Sequence, residues 1–153
     1  MVLTDGDRIR GLLGTYCQLV DAGDFAGVGR LFAHAVLRDE SGATLATGAA
    51  EVAALYAATT RRHDDGTPRT QHLVANTVLT EGSGADEAVA TSAYVVLQAT
   101  PGLALQPVIT GSYVDTFARV EGEWRFTERR FSIGRTGDLS QHLTFTPNPG
   151  EAG

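Results

Sequence analysis

At His63-Asp64-Asp65-Gly66 the chain changes its repeat, and that change fixes the order in which its elements come. Upstream, apolar residues recur at helical spacing. Ile9, Leu12, Leu13, Tyr16 and Val20 make one face, Phe25, Val28, Leu31 and Phe32 a second, and Val52, Leu55, Tyr56 and Thr59 a third. Downstream, four long segments rich in Val, Thr, Tyr and Phe run over 70–80, 87–100, 105–120 and 123–135, with Gly-containing turns between them. Helices first and strands afterwards is an α+β order. Consecutive strands with short links favour antiparallel pairing.

The ends of the elements carry their own signals. Asp5 or Asp7 can cap the first helix, and Gly23 can end it in a left-handed conformation. Asp24 suits the N-cap of the second helix. A strand is expected over 35–39, then a turn at Glu40-Ser41-Gly42. The third helix starts near Thr47-Gly48, with Glu51 in its first turn and Arg61-Arg62 where its dipole favours cations. Gly11 and Gly14 suggest close packing of the first helix. Gly82 and Gly84 mark a hairpin turn, not a phosphate loop, because no helix follows. The chain reads as one domain over 1–139. In the tail, 140–153, Pro147, Asn148, Pro149 and Gly150 suggest a segment that is loose or lies across a neighbour.

Composition narrows the function classes. A chain of 153 residues is long enough to bury a core and a pocket together, since domains of this size bury roughly 68–70% of their unfolded surface. The net charge of −6 argues against a nucleic-acid partner. All twelve basic residues are arginine, which excludes a lysine Schiff base or a lysine general base. Cys17, the one cysteine, cannot form an intrachain disulfide and reads as a small core residue. His34, His63, His72 and His142 show no metal-ligand spacing, so no metal is expected. No apolar run approaches the ~18 residues of a membrane span, and the N-terminus has no signal-peptide core. A cytoplasmic protein without a membrane partner is expected.

Several residues stand out chemically. Asp21 ends the first helix, where the negative dipole disfavours a carboxylate; either a partner cation, a shared proton or simple solvation answers that. Asp24 is read as a cap. His72 opens the first long strand, and period-2 alternation puts Val74, Asn76 and Val78 on its face. It is read either as a proton-transfer group, for which imidazole suits neutral pH, or as a satisfied core histidine. Arg129 and Arg130 point to opposite faces of the last strand, so one alone faces inward. The inward one either binds an anion or enolate oxygen, or both make surface ion pairs with Glu121, Glu123 or Asp115. Trp124 belongs to the core or to a pocket rim.

Three stretches at these positions carry a resemblance: YCQLVDAGDF at 16–25, PRTQHLVAN at 68–76 and GEWRFTERRF at 122–131. A helix ending in Asp-x-x-Asp, a strand opening with a histidine, and a last strand built on Trp followed by arginines together resemble the SnoaL-like branch of the NTF2-like superfamily, over about 7–135. The segment RTQH, 69–72, is similar to the matching strand of scytalone dehydratase. The resemblance implies a cone: a curved mixed or antiparallel sheet wrapped around three N-terminal helices, with an interior pocket. It also implies a catalytic pair, His72 as base and Asp21 as its orienter, with Tyr16, Tyr56, Asn76, Tyr94, Gln98 and Arg129 binding substrate. The chain departs from the pattern at two places. The next strand, SAYVVLQ at 92–98, lacks a second pocket histidine, leaving Gln98 or Tyr94 to fill that space. Val20 stands where a tyrosine precedes the aspartate.

Two functions fit. One is a cofactor-independent dehydratase, isomerase or cyclase acting on a cyclic, largely apolar, oxygenated molecule such as a polyketide- or steroid-like intermediate. The other is a non-catalytic ligand-binding or assembly module, as in the small subunit of ring-hydroxylating dioxygenases. The sheet segments keep apolar residues on both faces, with Val89, Val95 and Leu97 on one and Ala90, Tyr94 and Val96 on the other. That pattern predicts a homodimer or higher homo-oligomer.

Overall fold

In the computed structural model, which describes residues 1–147, α1 (Asp5–Asp21) begins at a capping box. Thr4, not Asp5 or Asp7, is the N-cap; its hydroxyl accepts from the Asp7 amide, and Asp7 Oδ2 takes the Thr4 amide at 2.9 Å. The sequence pattern favoured Asp because both acids sit in the first turn, where the dipole welcomes them. Ile9, Leu13, Tyr16 and Val20 form the buried face of α1. Gly11 and Gly14 lie on its open side, where a Cβ would meet nothing within 4 Å, so neither packs closely within the chain.

Gly23 stops α1 at φ +73, and a Cβ there would run into the Gly66 carbonyl. Asp24 then caps α2 (Phe25–Leu31), taking the Gly27 amide on Oδ1 at 2.7 Å. A short strand, β1 (Val36–Arg38), turns through Gly42 into β2 (Thr44–Thr47). Nothing in the sequence separated β2 from the turn and the helix start around it. α3 (Gly48–Thr59) follows, and Glu51 reaches back to the Thr47 amide at 2.8 Å.

The remaining strands are β3 (Thr70–Glu81), β4 (Glu87–Thr100), β5 (Leu103–Val120) and β6 (Glu123–Thr136). The sheet order is β2-β1-β6-β5-β4-β3. β1 pairs with β6 in parallel; the other pairs are antiparallel. The sheet is therefore mixed, and it wraps the helices as a cone. Along β4 the alternation is strict: Ala90, Ser92, Tyr94, Val96 and Gln98 are buried on the concave face. Phe117 and Phe126 meet at 4.6 Å, and Phe126 meets Phe32 of the α2 end at 4.5 Å, which packs the core away from the pocket. Trp124 is buried here under the Arg119 guanidinium.

The alternation fails in β3. A bulge between Ala75 and Val78 inserts one extra residue against β4, with Asn76 at φ 54. Beyond it the faces exchange, and Val78 is 60% exposed.

The C-terminal segment departs from expectation over 140–147. Arg61 N–H donates to the His142 carbonyl at 2.8 Å, Thr144 N–H to Thr59 at 3.0 Å, and Leu143 bridges to Thr60. This stretch is bound to the end of α3 rather than loose; Asn148, Pro149 and Gly150 lie outside the described residues. No helix among the described residues is long and apolar enough to cross a membrane.

Candidate active site

Asp21 closes α1 at its negative end, and three hydrogen bonds remove the penalty for a carboxylate there. Thr70 Oγ1 donates to Oδ1 at 2.8 Å, and the His72 amide donates to Oδ2 at 2.8 Å. His72 Nδ1 lies 2.6 Å from Oδ1. A carboxylate accepts only, so in the neutral ring Nδ1 carries the proton and Nε2 the lone pair. The His72 side chain is 6% exposed and that of Asp21 21%. Water screens this pair weakly.

His72 faces a cavity of about 420 Å³ between the helices and the concave side of the sheet. That volume suits a small organic molecule. Val20, Leu37, Val96, Ile109, Phe131 and Ile133 give it apolar walls. Of the six residues expected to bind substrate, Tyr16, Tyr56, Tyr94 and Arg129 line it. Two do not. Asn76 is exposed in the bulge, which turns it out of the His72 face. Gln98 is buried beside the cavity as a tether: its Nε2 donates to the carbonyls of Pro68 at 2.9 Å and Gln141 at 2.8 Å.

The tyrosines form a connected wall. Tyr16 and Tyr56 share a hydrogen bond at 2.9 Å. Tyr94 stacks on Tyr113 at 4.4 Å, and the Tyr94 hydroxyl donates to the Ser132 carbonyl at 3.2 Å. Gly111 lies opposite Tyr94 in the ladder. A Cβ there would collide with the Tyr94 ring and the Ser132 carbonyl, so glycine is what admits the ring. Burial pushes the hydroxyls of Tyr16, Tyr56 and Tyr113 well above their ordinary value, and that of Tyr94 up to about 12. All four are neutral phenols at physiological pH, able to donate hydrogen bonds.

Arg129 faces inward and Arg130 outward. Arg129 is not free to hold a whole anion, however. Its Nε and Nη2 donate to Asp115 at 2.7 and 2.9 Å, and the two side chains are 1% and 0% exposed. The partner is one of those weighed from the sequence, but the pair is buried, because both residues sit opposite each other on the concave face of β5 and β6. Burial pushes the Asp115 carboxyl up, and Arg129 opposes that. The guanidinium lies 3.8 Å from the Tyr113 ring centre and 4.2 Å from that of Tyr16. Its Nη1 is buried with no hydrogen-bond partner among the described residues, leaving that nitrogen's N–H groups unpaired.

The SnoaL-like domain family matches residues 1–130. The chain belongs to the SnoaL-like family. No curated protein matches it in sequence. Among solved structures, the chain is similar to an NTF2-like protein with a cystatin-like fold from Novosphingobium aromaticivorans, at 23% identity and a TM-score of 0.68, over 84% of this chain and 81% of that one. It is similar to ActVI-ORFA from Streptomyces coelicolor at 22% identity and a TM-score of 0.66, over 82% and 94%. It also resembles a candidate scytalone dehydratase from Novosphingobium aromaticivorans at 21% identity and a TM-score of 0.64, over 86% and 85%. At these identities the likeness establishes the NTF2-like cone.

This SnoaL-like chain also places residues in the cavity that the sequence reading passed over. Tyr113 shares a face with Asp115 and Phe117 along β5, and counting that alternation would have found it. His142 had no such signal. It stands in the expected tail, yet it lines the cavity at 5% exposure. A second cavity, about 290 Å³, lies between α1 and β3 on the other side of His72 and touches Cys17. Burial pushes the Cys17 thiol up to about 11, so it is an unreactive thiol.

Proposed function

We propose that the protein is a cofactor-independent proton-transfer enzyme, a dehydratase, isomerase or cyclase, acting on a cyclic, largely apolar molecule that carries oxygen, such as a polyketide- or steroid-like intermediate. The observation that carries this reading is the 2.6 Å contact between Asp21 Oδ1 and His72 Nδ1 at the wall of an apolar cavity. His72 Nε2 takes a proton from the substrate. Asp21 holds the ring in the tautomer that makes this possible and stabilises the imidazolium as it forms. The Tyr16–Tyr56 pair and the free Nη1 of Arg129 supply neutral and cationic donors for an oxygen that gains negative charge. Arg129 acts through Nη1, since Asp115 occupies Nε and Nη2. The apolar walls bind the carbon skeleton and keep water from competing.

The test is a turnover screen with cyclic enones, hydroxy-ketones and epoxides. With the substrate found, His72→Ala is expected to lower kcat by ~10²–10⁴ with the fold intact. Binding without turnover in the native chain would favour a ligand-binding module instead, and a His72→Ala variant as fast as native would remove His72 as the base.

A further inference from the structure

We infer that His142, held over the cavity by the C-terminal segment, is a second ligand-contacting residue, whose imidazole hydrogen-bonds an oxygen of the bound molecule from the side facing His72. This rests on the reading that the cavity takes an oxygenated, largely apolar small molecule.

Four observations converge on it. The backbone on either side of the ring is pinned: Gln98 Nε2 donates to the Gln141 carbonyl at 2.8 Å, Arg61 N–H to the His142 carbonyl at 2.8 Å, and Thr144 Oγ1 to Ala58 at 2.6 Å. The ring lines the same cavity as His72, with the two ring centres 5.9 Å apart and the planes at 67°. His142 is 5% exposed. Its Nδ1 is buried with no hydrogen-bond partner among the described residues. A buried ring without a hydrogen-bond partner is costly, and an oxygen of a molecule in the cavity would supply one to the ring edge that lines it.

The charged groups around it set the form of the ring. Burial, and then His72 on β3, push the His142 imidazole down to about 4, while Asp21 on α1 opposes them. Arg61 and His63, in the loop after α3, spend their side chains on the carbonyls of Leu143 and Gln141. His142 is thus a neutral imidazole at physiological pH. It holds an oxygen and does not deliver a proton, whereas proton transfer falls to the ring that Asp21 orients.

The experiment compares binding of 2-naphthol and naphthalene, two probes of one shape that differ by a hydroxyl, to the full-length native chain and to His142→Leu. The native chain should prefer 2-naphthol, and His142→Leu should lose about three- to tenfold of that preference with naphthalene binding unchanged. His142→Gln, which retains a hydrogen-bonding side chain, should recover part of it and guards against a folding defect. The ¹⁵N resonances of His142 should move with 2-naphthol and not with naphthalene. A preference equal in native and His142→Leu would overturn the inference while leaving the cavity reading intact. Failure of the native chain to bind either probe would remove the cavity reading, and this inference with it.

Discussion

Asp21 grips His72 twice: one carboxylate oxygen accepts the backbone amide at 2.8 Å while the other faces ring Nδ1 at 2.6 Å. The first bond fixes where β3 starts relative to the end of α1. The second fixes the tautomer. One side chain therefore couples the packing of helix on strand to the chemistry available at Nε2.

Asp21→Asn keeps the shape and removes the charge. An amide oxygen can still accept up to two of the three hydrogen bonds, so the fold should persist. The imidazolium loses its stabiliser and the ring its fixed tautomer. Turnover is expected to fall by about 10²-fold or more. Independently of substrate, ¹⁵N spectra of His72 should show Nδ1–H alone in the native chain and mixed tautomers in the variant.

The buried Arg129–Asp115 pair makes a stability prediction. Asp115→Ala leaves a guanidinium in the core with no counter-charge, at a cost of about 3–5 kcal/mol. For a domain of this size that lowers Tm by roughly 6–20 °C. Asp115→Leu combined with Arg129→Met should be less damaging than Asp115→Ala alone, as thermal unfolding would show. A single variant as stable as native would mean that the pair is not buried as described.

His142 links stability to pH. Its pKa falls from 6.5 to about 4 on folding, so between these values the unfolded chain binds a proton that the folded chain refuses. Stability from this group is complete above pH 6.5 and is lost as pH falls toward 4, on the order of 3 kcal/mol in all. Urea unfolding at pH 7 and pH 4.5 should show a smaller acid loss in His142→Phe than in the native chain. Equal losses would contradict the burial of this ring.

Much of the fold is legible in the sequence because its four long strands are rich in Val, Thr, Tyr and Phe and are parted by Gly-containing turns. The failures have local causes. β2 is four residues long, too short to show a period between a turn and a helix. Counting in twos puts Asn76 on the His72 face, and the one inserted residue in the bulge reverses the count. Gln98 was correctly inward, but its amide is spent on two carbonyls. Asp21 and His72 stand out only through the resemblance, since neither residue alone rises above a helix end or a core histidine. His142 reaches the cavity only because distant segments close around it, and no local pattern records that.

The convex face of the sheet carries the assembly prediction. Leu73 is 43% and Val114 42% exposed there, near Val95, which pairs with Leu73 in the ladder. A second copy covering this face gives about twice the 16.1 kDa chain mass in sedimentation at micromolar concentration, and Leu73→Arg should shift it toward the monomer. A native monomer would contradict the prediction.

The central claim, that His72 moves a proton, can be measured before the natural substrate is known. Cyclic ketones and enones exchange hydrogens next to the carbonyl with D₂O when a base removes them, and NMR follows the exchange directly. The native chain should accelerate exchange of at least one such compound, with saturation, and His72→Ala should lose about 10²-fold or more of that acceleration. Exchange at the same rate in native and His72→Ala would contradict the account.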